Sequence, residues 1–212
     1  MQNEKYEYVG YDLVIDEVED YSRVLDLGCG DGRLLELLYQ KKKIQGAGVE
    51  ISEKGVGMCV EKGLYCFQGD IDDGLSDYRD NSFDYVILNQ TLQSTKMPDY
   101  VLKEILRISR KAIVSFPNFG HYKTRLQLTL SGRMPKNDLL PYEWYESPNI
   151  HHATIKDFRM FCEKYGYTIK KEKHFSPTKV KGGTSKQVCF MPNLFAQYGF
   201  FVLDGLPVTS EE

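Results

Sequence analysis

Three features are missing from this sequence. No apolar run approaches the roughly 18 residues needed to cross a bilayer. No C-x-x-C occurs, and the five cysteines lack paired spacing, with Cys59 and Cys66 separated by six residues. A zinc site or disulfide framework is therefore not expected, and the pattern fits a reducing cytoplasm. Charge of one sign is not in excess either, because 27 basic and 30 acidic residues leave a net charge of −3. That balance exerts no global pull on nucleic acid or an anionic membrane, so neither is expected as a partner. Met1 to Tyr11 is polar and acidic, without the pattern of a secretory signal.

What is present is an ordinary globular composition. The 212 residues are 42% hydrophobic and 27% charged, which predicts one domain over residues 1–212 able to bury its core without staples. Strand-like runs cover Ser22 to Leu27, Gly46 to Ile51, Tyr65 to Gln68, Phe83 to Leu88 and Ala112 to Phe116. Helical spacing appears between them: Leu34, Leu35, Leu37 and Leu38 form one face, and Val101, Ile105 and Ile108 a stripe within Asp99 to Arg110. Strands alternating with helices predict an α/β fold with a mostly parallel sheet covered on both faces.

After residue 117 the rhythm changes. A helix is expected over Phe119 to Leu130, then a proline- and aromatic-rich loop to His152. Thr154 opens another helix with Asp157 three positions on, a variant capping box. Phe158, Phe161, Cys162 and Tyr165 should line its buried face, and Gly166 should end it. Tyr167 to Phe175 and Gln187 to Met191 read as a terminal antiparallel pair, joined by a solvated basic turn over Lys179 to Lys186.

The strongest motif is V-L-D-L-G-C-G-D-G, Val24 to Gly32, between a strand and a helix. Gly28, Gly30 and Gly32 allow a sharp turn and a ligand's close approach. A dinucleotide loop reads G-x-G-x-x-G and sets a pyrophosphate on the helix N-terminus. Here the third glycine comes one residue early, and Asp26 and Asp31 flank the loop. Their charge repels a pyrophosphate and suits a cationic ligand. S-adenosylmethionine, with an ammonium, a sulfonium and no phosphate, is therefore favoured over a nicotinamide dinucleotide.

Further candidates stand at successive strand ends. Glu50 lies about twenty residues beyond the loop, where a carboxylate accepts from both ribose hydroxyls, and Ile51 follows it. Asp70 can accept from an adenine amino group while Ile71 packs on the ring. Asn89-Gln90 ends the fourth strand and faces the same crevice. Each has a plain alternative, an exposed strand-end charge for Glu50 and a turn-forming side chain for Asp70. Their order makes them a constellation.

At this point the sequence resembles the class I S-adenosylmethionine-dependent methyltransferases, and within them the MetW family of methionine biosynthesis proteins. The glycine loop, G-V-E-I at 48–51, Q-G-D-I-D-D-G-L at 68–75 and S-F-D-Y-V-I-L-N-Q-T-L-Q at 82–93 carry the resemblance. A-I-V-S-F-P-N-F-G-H at 112–121, G-R-M-P at 132–135 and L-P-Y-E-W-Y-E-S-P-N-I-H at 140–151 extend it. It implies a Rossmann-like, seven-stranded sheet with the cofactor above strands one, two and four. It also implies a link to homoserine O-acyltransferase.

Methyl transfer to a nitrogen or oxygen needs a base for the departing proton. His121, just past the fifth strand, is the candidate, with Tyr122 beside it; a cap-packing histidine is the structural alternative. His151 and His152 are adjacent and lack an acidic cluster, so no metal is expected there. Asn89-Gln90-Thr91-Leu92 lacks the N-P-P-Y type motif of many amide and amine methyltransferases. The aromatic segment 118–152 is expected to be an insert serving as a lid or a partner surface. Two functions follow as expectations: methyl transfer to an unidentified acceptor, or a non-catalytic S-adenosylmethionine sensor that regulates the acyltransferase.

Overall fold

The computed structural model describes residues 9–137, 139–178 and 185–206. Most of the basic turn expected over Lys179 to Lys186 lies outside the described residues. The chain opens with α1 (Tyr11–Glu17), β1 (Arg23–Leu27), α2 (Arg33–Lys42), β2 (Gln45–Glu50), α3 (Glu53–Glu61) and β3 (Cys66–Gln68). It continues with β4 (Phe83–Asn89), α4 (Pro98–Ile108), β5 (Ser109–Pro117), α5 (Tyr122–Ser131) and α6 (Ile155–Tyr165). β6 (Ile169–Pro177), β7 (Ser185–Gln187), α7 (Pro192–Phe195) and β8 (Tyr198–Asp204) complete it.

These strands form one sheet in the order β3-β2-β1-β4-β5-β8-β6-β7. β1 through β5 pair in parallel, and β8, β6 and β7 add antiparallel pairings. Strand alternation splits the core in two. Val86 and Leu88 of β4 face a cluster with Val101, Ile105 and Leu106 of α4 and Phe158 of α6. Tyr85 and Ile87 face the opposite cluster with Val14 of α1 and Leu34, Leu35 and Leu38 of α2. β1 and β4 lie side by side where chain order reverses across the sheet, and that switch point opens a crevice at the strands' C-terminal ends.

The sheet has eight strands where seven were expected. β8 is the strand the sequence reading passed over, and it separates β5 from β6. Its run Tyr198 to Leu203 is buried throughout, as a strand covered on both faces must be. The strand expected over Gln187 to Met191 is confined to Ser185–Gln187, and Phe190 and Met191 are exposed instead. Thr154 and Asp157 form the reciprocal capping box, and Gly166 ends α6 in the left-handed conformation. Tyr165, expected on the buried face, is exposed. Among the described residues no helix is long and apolar enough to cross a membrane.

Candidate functional site

The glycine loop turns between β1 and α2 with Gly28, Gly30 and Gly32 all at positive φ, +72°, +58° and +74°. The three differ in what surrounds them. A Cβ on Gly28 would lie 2.6 Å from the Thr91 side chain, so Gly28 lets β1 and the loop after β4 approach each other. A Cβ on Gly32 would lie 2.8 Å from Cys59 Sγ and 2.6 Å from Leu64, so Gly32 serves packing. Gly30 faces open space, where a ligand can come against bare backbone.

Glu50 fastens this loop to the end of β2. The Gly30 N–H donates to Glu50 Oε2 at 2.9 Å, and the Ser52 N–H to Oε1 at 2.9 Å. A carboxylate has about four lone-pair sites, so two remain for a ligand. Asp70 caps a short helical turn by accepting the Asp72 N–H at 2.9 Å, and Lys96 Nζ lies 3.3 Å from its other oxygen. Asp72 is buried and accepts the backbone N–H groups of Lys96 and Met97, which fixes the entry to α4.

Gly28, Glu50, Ile51, Asp70, Ile71 and Thr91 line one cavity of about 330 Å³, together with Asp72, Gln90 and Lys96. Gly30, Gly32 and Asp26 are not among its lining residues, and Asp26 is 3% exposed on β1. Burial first, and the neighbouring Glu50 charge second, push its carboxyl from 3.8 up to about 7, and among the described residues neither a cation nor a hydrogen bond opposes them. Asp31 does not share this role, because Lys62 Nζ holds its carboxylate at 2.7 Å and its carbonyl at 2.6 Å. The carboxylates that line the cleft are Glu50, Asp70 and Asp72, with Lys96 paired to Asp70.

Asn89 does not turn its side chain into this cavity. Its Oδ1 accepts from Ser115 Oγ at 2.5 Å and its Nδ2 reaches the Val9 carbonyl at 3.4 Å. The next residue, Gln90, does line the cavity, from a left-handed conformation (φ +60°) that non-glycine residues rarely adopt. Its Nε2 donates to Ser115 Oγ at 3.0 Å and its carbonyl accepts from Gln93 Nε2 at 2.5 Å. Gln90 was expected at the crevice with Asn89, whereas Thr91, Asp72 and Lys96 line the cavity without having been expected there. The acidic run at 70–73 hinted at Asp72 alone.

His121 and Tyr122 stand apart from the cleft. His121 is the N-cap of α5, its Nδ1 accepting the Lys123 N–H at 3.4 Å. It is buried, its ring packs on Tyr122 with centroids 4.6 Å apart, and burial together with the Lys123 charge lowers its pKa. Tyr122 is partly exposed and packs against Phe195. His151 joins Gln93, Leu92, Leu102, Phe116 and Phe158 around a second cavity of about 350 Å³ between α4 and α6. In the aromatic segment, Trp144 and Tyr145 are 73% and 66% exposed.

The architecture is that of the class I methyltransferases. One similar structure is a Thermotoga maritima S-adenosylmethionine-dependent methyltransferase described as a possible histamine N-methyltransferase. It is 18% identical, with a TM-score of 0.67 over 92% of this chain and 87% of that one. The methyltransferase solved with the Haloferax volcanii Trm112 activator is 16% identical, with a TM-score of 0.65 over 95% of this chain and 92% of that one. A methyltransferase from Archaeoglobus fulgidus gives 17% and 0.62 over 92% and 94%. At these identities the likeness shows the fold alone.

A curated relative reaches further. The bifunctional methionine biosynthesis protein MetXA/MetW of Rhodopirellula baltica is 33% identical over 173 residues, 77% of this chain. The match spans only 28% of that longer protein. The family described as methionine biosynthesis protein MetW matches residues 9–203, from the first described residue to the end of the last strand but one position. On that match the chain belongs to the MetW family of methionine biosynthesis proteins.

Proposed function

We propose that the cleft at the end of β1, β2 and β4 binds S-adenosylmethionine. The observation that carries this reading is the Glu50 bridge: one carboxylate ties the open Gly30 backbone to β2 and keeps two acceptor sites for ribose hydroxyls. Asp70 would accept from the adenine amino group, with Ile51 and Ile71 against the ring faces. Asp26, Gly28 and Gly30 would hold the aminoacyl end, whose ammonium and sulfonium suit the uncompensated charge of Asp26. Gly32 and Asn89 would act through the backbone they shape, and Asn89 by anchoring Gln90 through Ser115. When bound, the cofactor supplies an electrophilic methyl group.

Calorimetric titration with S-adenosylhomocysteine, with Glu50→Ala as control, tests this reading. Saturable binding by the wild type that is lost in a folded Glu50→Ala supports it. Absence of binding by the wild type refutes it for this chain.

A second reading concerns what the bound cofactor does. His121 caps α5 through Nδ1 and is not among the residues that line the cleft. The Rhodopirellula relative bears the names MetXA and MetW in one bifunctional chain. These two observations favour a sensor that contacts homoserine O-acyltransferase over a methyltransferase acting on a free acceptor, with the exposed Trp144 and Tyr145 as contact residues. Measuring the acyltransferase rate with and without this chain and S-adenosylmethionine distinguishes the two. A change abolished by Trp144→Ala, with no cofactor consumed, supports the sensor. Turnover of the cofactor with an unchanged acyltransferase rate supports the enzyme.

A further inference from the structure

Behind the glycine loop the fold brings together three cysteines that are far apart in sequence. Cys29 comes from the loop itself, Cys59 from α3 and Cys66 from β3. Their sulfurs all lie within 4.8 Å of one another. Cys29 Sγ is 3.8 Å from Cys59 Sγ and 3.6 Å from Cys66 Sγ. Spacings of 30 and 7 residues match no ligand pattern, and only parallel pairing of β1, β2 and β3 closes the triangle.

We propose that Cys29, Cys59 and Cys66 form a three-thiolate site for a thiophilic d10 cation, zinc(II) above all. The geometry carries this. Zinc–thiolate bonds of about 2.3 Å in tetrahedral array set neighbouring sulfurs about 3.8 Å apart, close to the two shorter separations here. The sulfurs have no strong competing partner: Cys59 Sγ reaches the Gly30 carbonyl at 3.5 Å and Cys66 Sγ the Phe67 carbonyl at 3.9 Å. Glycines clear the space around them. A Cβ on Gly48 would collide with Cys29 Sγ, and one on Gly32 would stand 2.8 Å from Cys59 Sγ.

Charge and access also fit. Three thiols that ligate zinc(II) release three protons to solvent and leave a net charge of −1 on the site. Lys62, three positions after Cys59, is nearby but paired with Asp31 of the loop, so it opposes that charge only in part. Cys29 and Cys59 are buried, whereas Cys66 is half-buried, so the entry path and the fourth coordination position lie on the β3 side. Thiolate donors select zinc or monovalent copper over hard cations. A bound ion would fix Gly28–Gly32 against α3 and β3. The proposal does not depend on which cofactor the cleft binds.

The test uses the full chain carrying Cys189→Ala, which removes the one exposed cysteine among the described residues. Reduced, chelator-stripped protein is titrated with Zn2+ against a chromophoric chelator, and bound zinc is counted by elemental analysis. One zinc per chain is expected. Adding Cys66→Ala should weaken it beyond the roughly 100-fold that loss of an outer-shell partner typically causes. Less than one zinc per chain, or an affinity unchanged by Cys66→Ala, overturns the site and leaves three core thiols. Should Cys66→Ala fail to fold, Co2+ added to the Cys189→Ala protein decides. Thiolate-to-cobalt charge-transfer bands support the site and their absence refutes it.

Discussion

Binding of S-adenosylmethionine should strengthen as pH rises through 7, and Asp26 should be the cause. Its carboxyl is pushed from 3.8 up to about 7 by burial and then by the Glu50 charge. A cationic ligand in the cleft favours the ionised carboxylate and opposes both effects. If the ligand binds only when Asp26 is ionised, affinity follows the ionised fraction. That fraction rises from roughly 3% at about pH 5.5 to roughly 75% at about pH 7.5, a gain of about 25-fold. Calorimetry near neutral pH, in two buffers of different ionisation enthalpy, should show about half a proton released per ligand bound. Asp26→Asn should abolish both the slope and the proton. S-adenosylhomocysteine, which keeps the ammonium but lacks the sulfonium, should show a shallower rise. An affinity flat across this range, or an unchanged slope in Asp26→Asn, would refute the assignment of a cation to the neighbourhood of Asp26.

The same carboxyl has a consequence for stability of the ligand-free chain. Its folded value lies above its unfolded one, so its favourable contribution is complete at low pH and is lost as pH rises from 3.8 to about 7. The difference corresponds to about 4 kcal/mol, and a cation in the cleft would offset much of it. Ligand should therefore raise the melting temperature more at pH 8 than at pH 6.

Two further predictions concern the loop and the capping histidine. Gly30→Ala meets no atom within 4 Å and should cost only about 1–2 kcal/mol for its left-handed conformation, yet abolish S-adenosylhomocysteine binding, whereas Gly32→Ala adds a clash with Cys59 and should cost about 3 kcal/mol or more; urea denaturation beside calorimetry separates the two. His121→Ala should cost about 1 kcal/mol as a lost helix cap. Because burial holds the His121 pKa below 6.5, the wild type should lose stability on acidification through a protonation that the variant lacks, visible as a stability difference that shrinks as pH falls.

From β1 to β5 the sequence carries the fold plainly because each element there is locally determined, whereas α1 was not expected from it. The β-branched and aromatic run of β4, the leucines of α2 and the glycine loop each signal their own conformation within a few residues. The later sheet is determined by distant partners. β8 is one apolar run among several, and only its insertion between β5 and β6 distinguishes it from the exposed Phe190 and Met191 nearby. Asn118 shows the same limit. Next to a strand-ending proline it reads as a turn residue, yet it is fully buried. Its Nδ2 donates to the Ala196 carbonyl at 2.8 Å and its Oδ1 accepts the Gly120 N–H at 3.0 Å, so it joins the β5 end to the chain entering β8.

The cleft divides along the same line. Glu50, Asp70 and the glycines are strand-end residues, and a parallel sheet necessarily brings successive strand ends together at one rim. Their order in sequence was therefore enough to predict that Gly28, Glu50 and Asp70 share a cavity. Side-chain direction was not predictable in that way. Asn89 and Gln90 sit at the same rim and both bond Ser115, yet Asn89 reaches back to the Val9 carbonyl while Gln90, in a left-handed conformation, lines the cavity. His121 likewise follows a strand end, but helix α5 starts there and claims the imidazole as its cap. Where a new helix begins directly at a strand end, its unsatisfied N–H groups compete for the polar side chain that a catalytic reading would assign to a substrate. That competition is decided in the backbone, and here it goes to the helix. It leaves the strand-end cavity lined by Glu50 and Asp70 clear of His121, whose Nδ1 serves the start of α5.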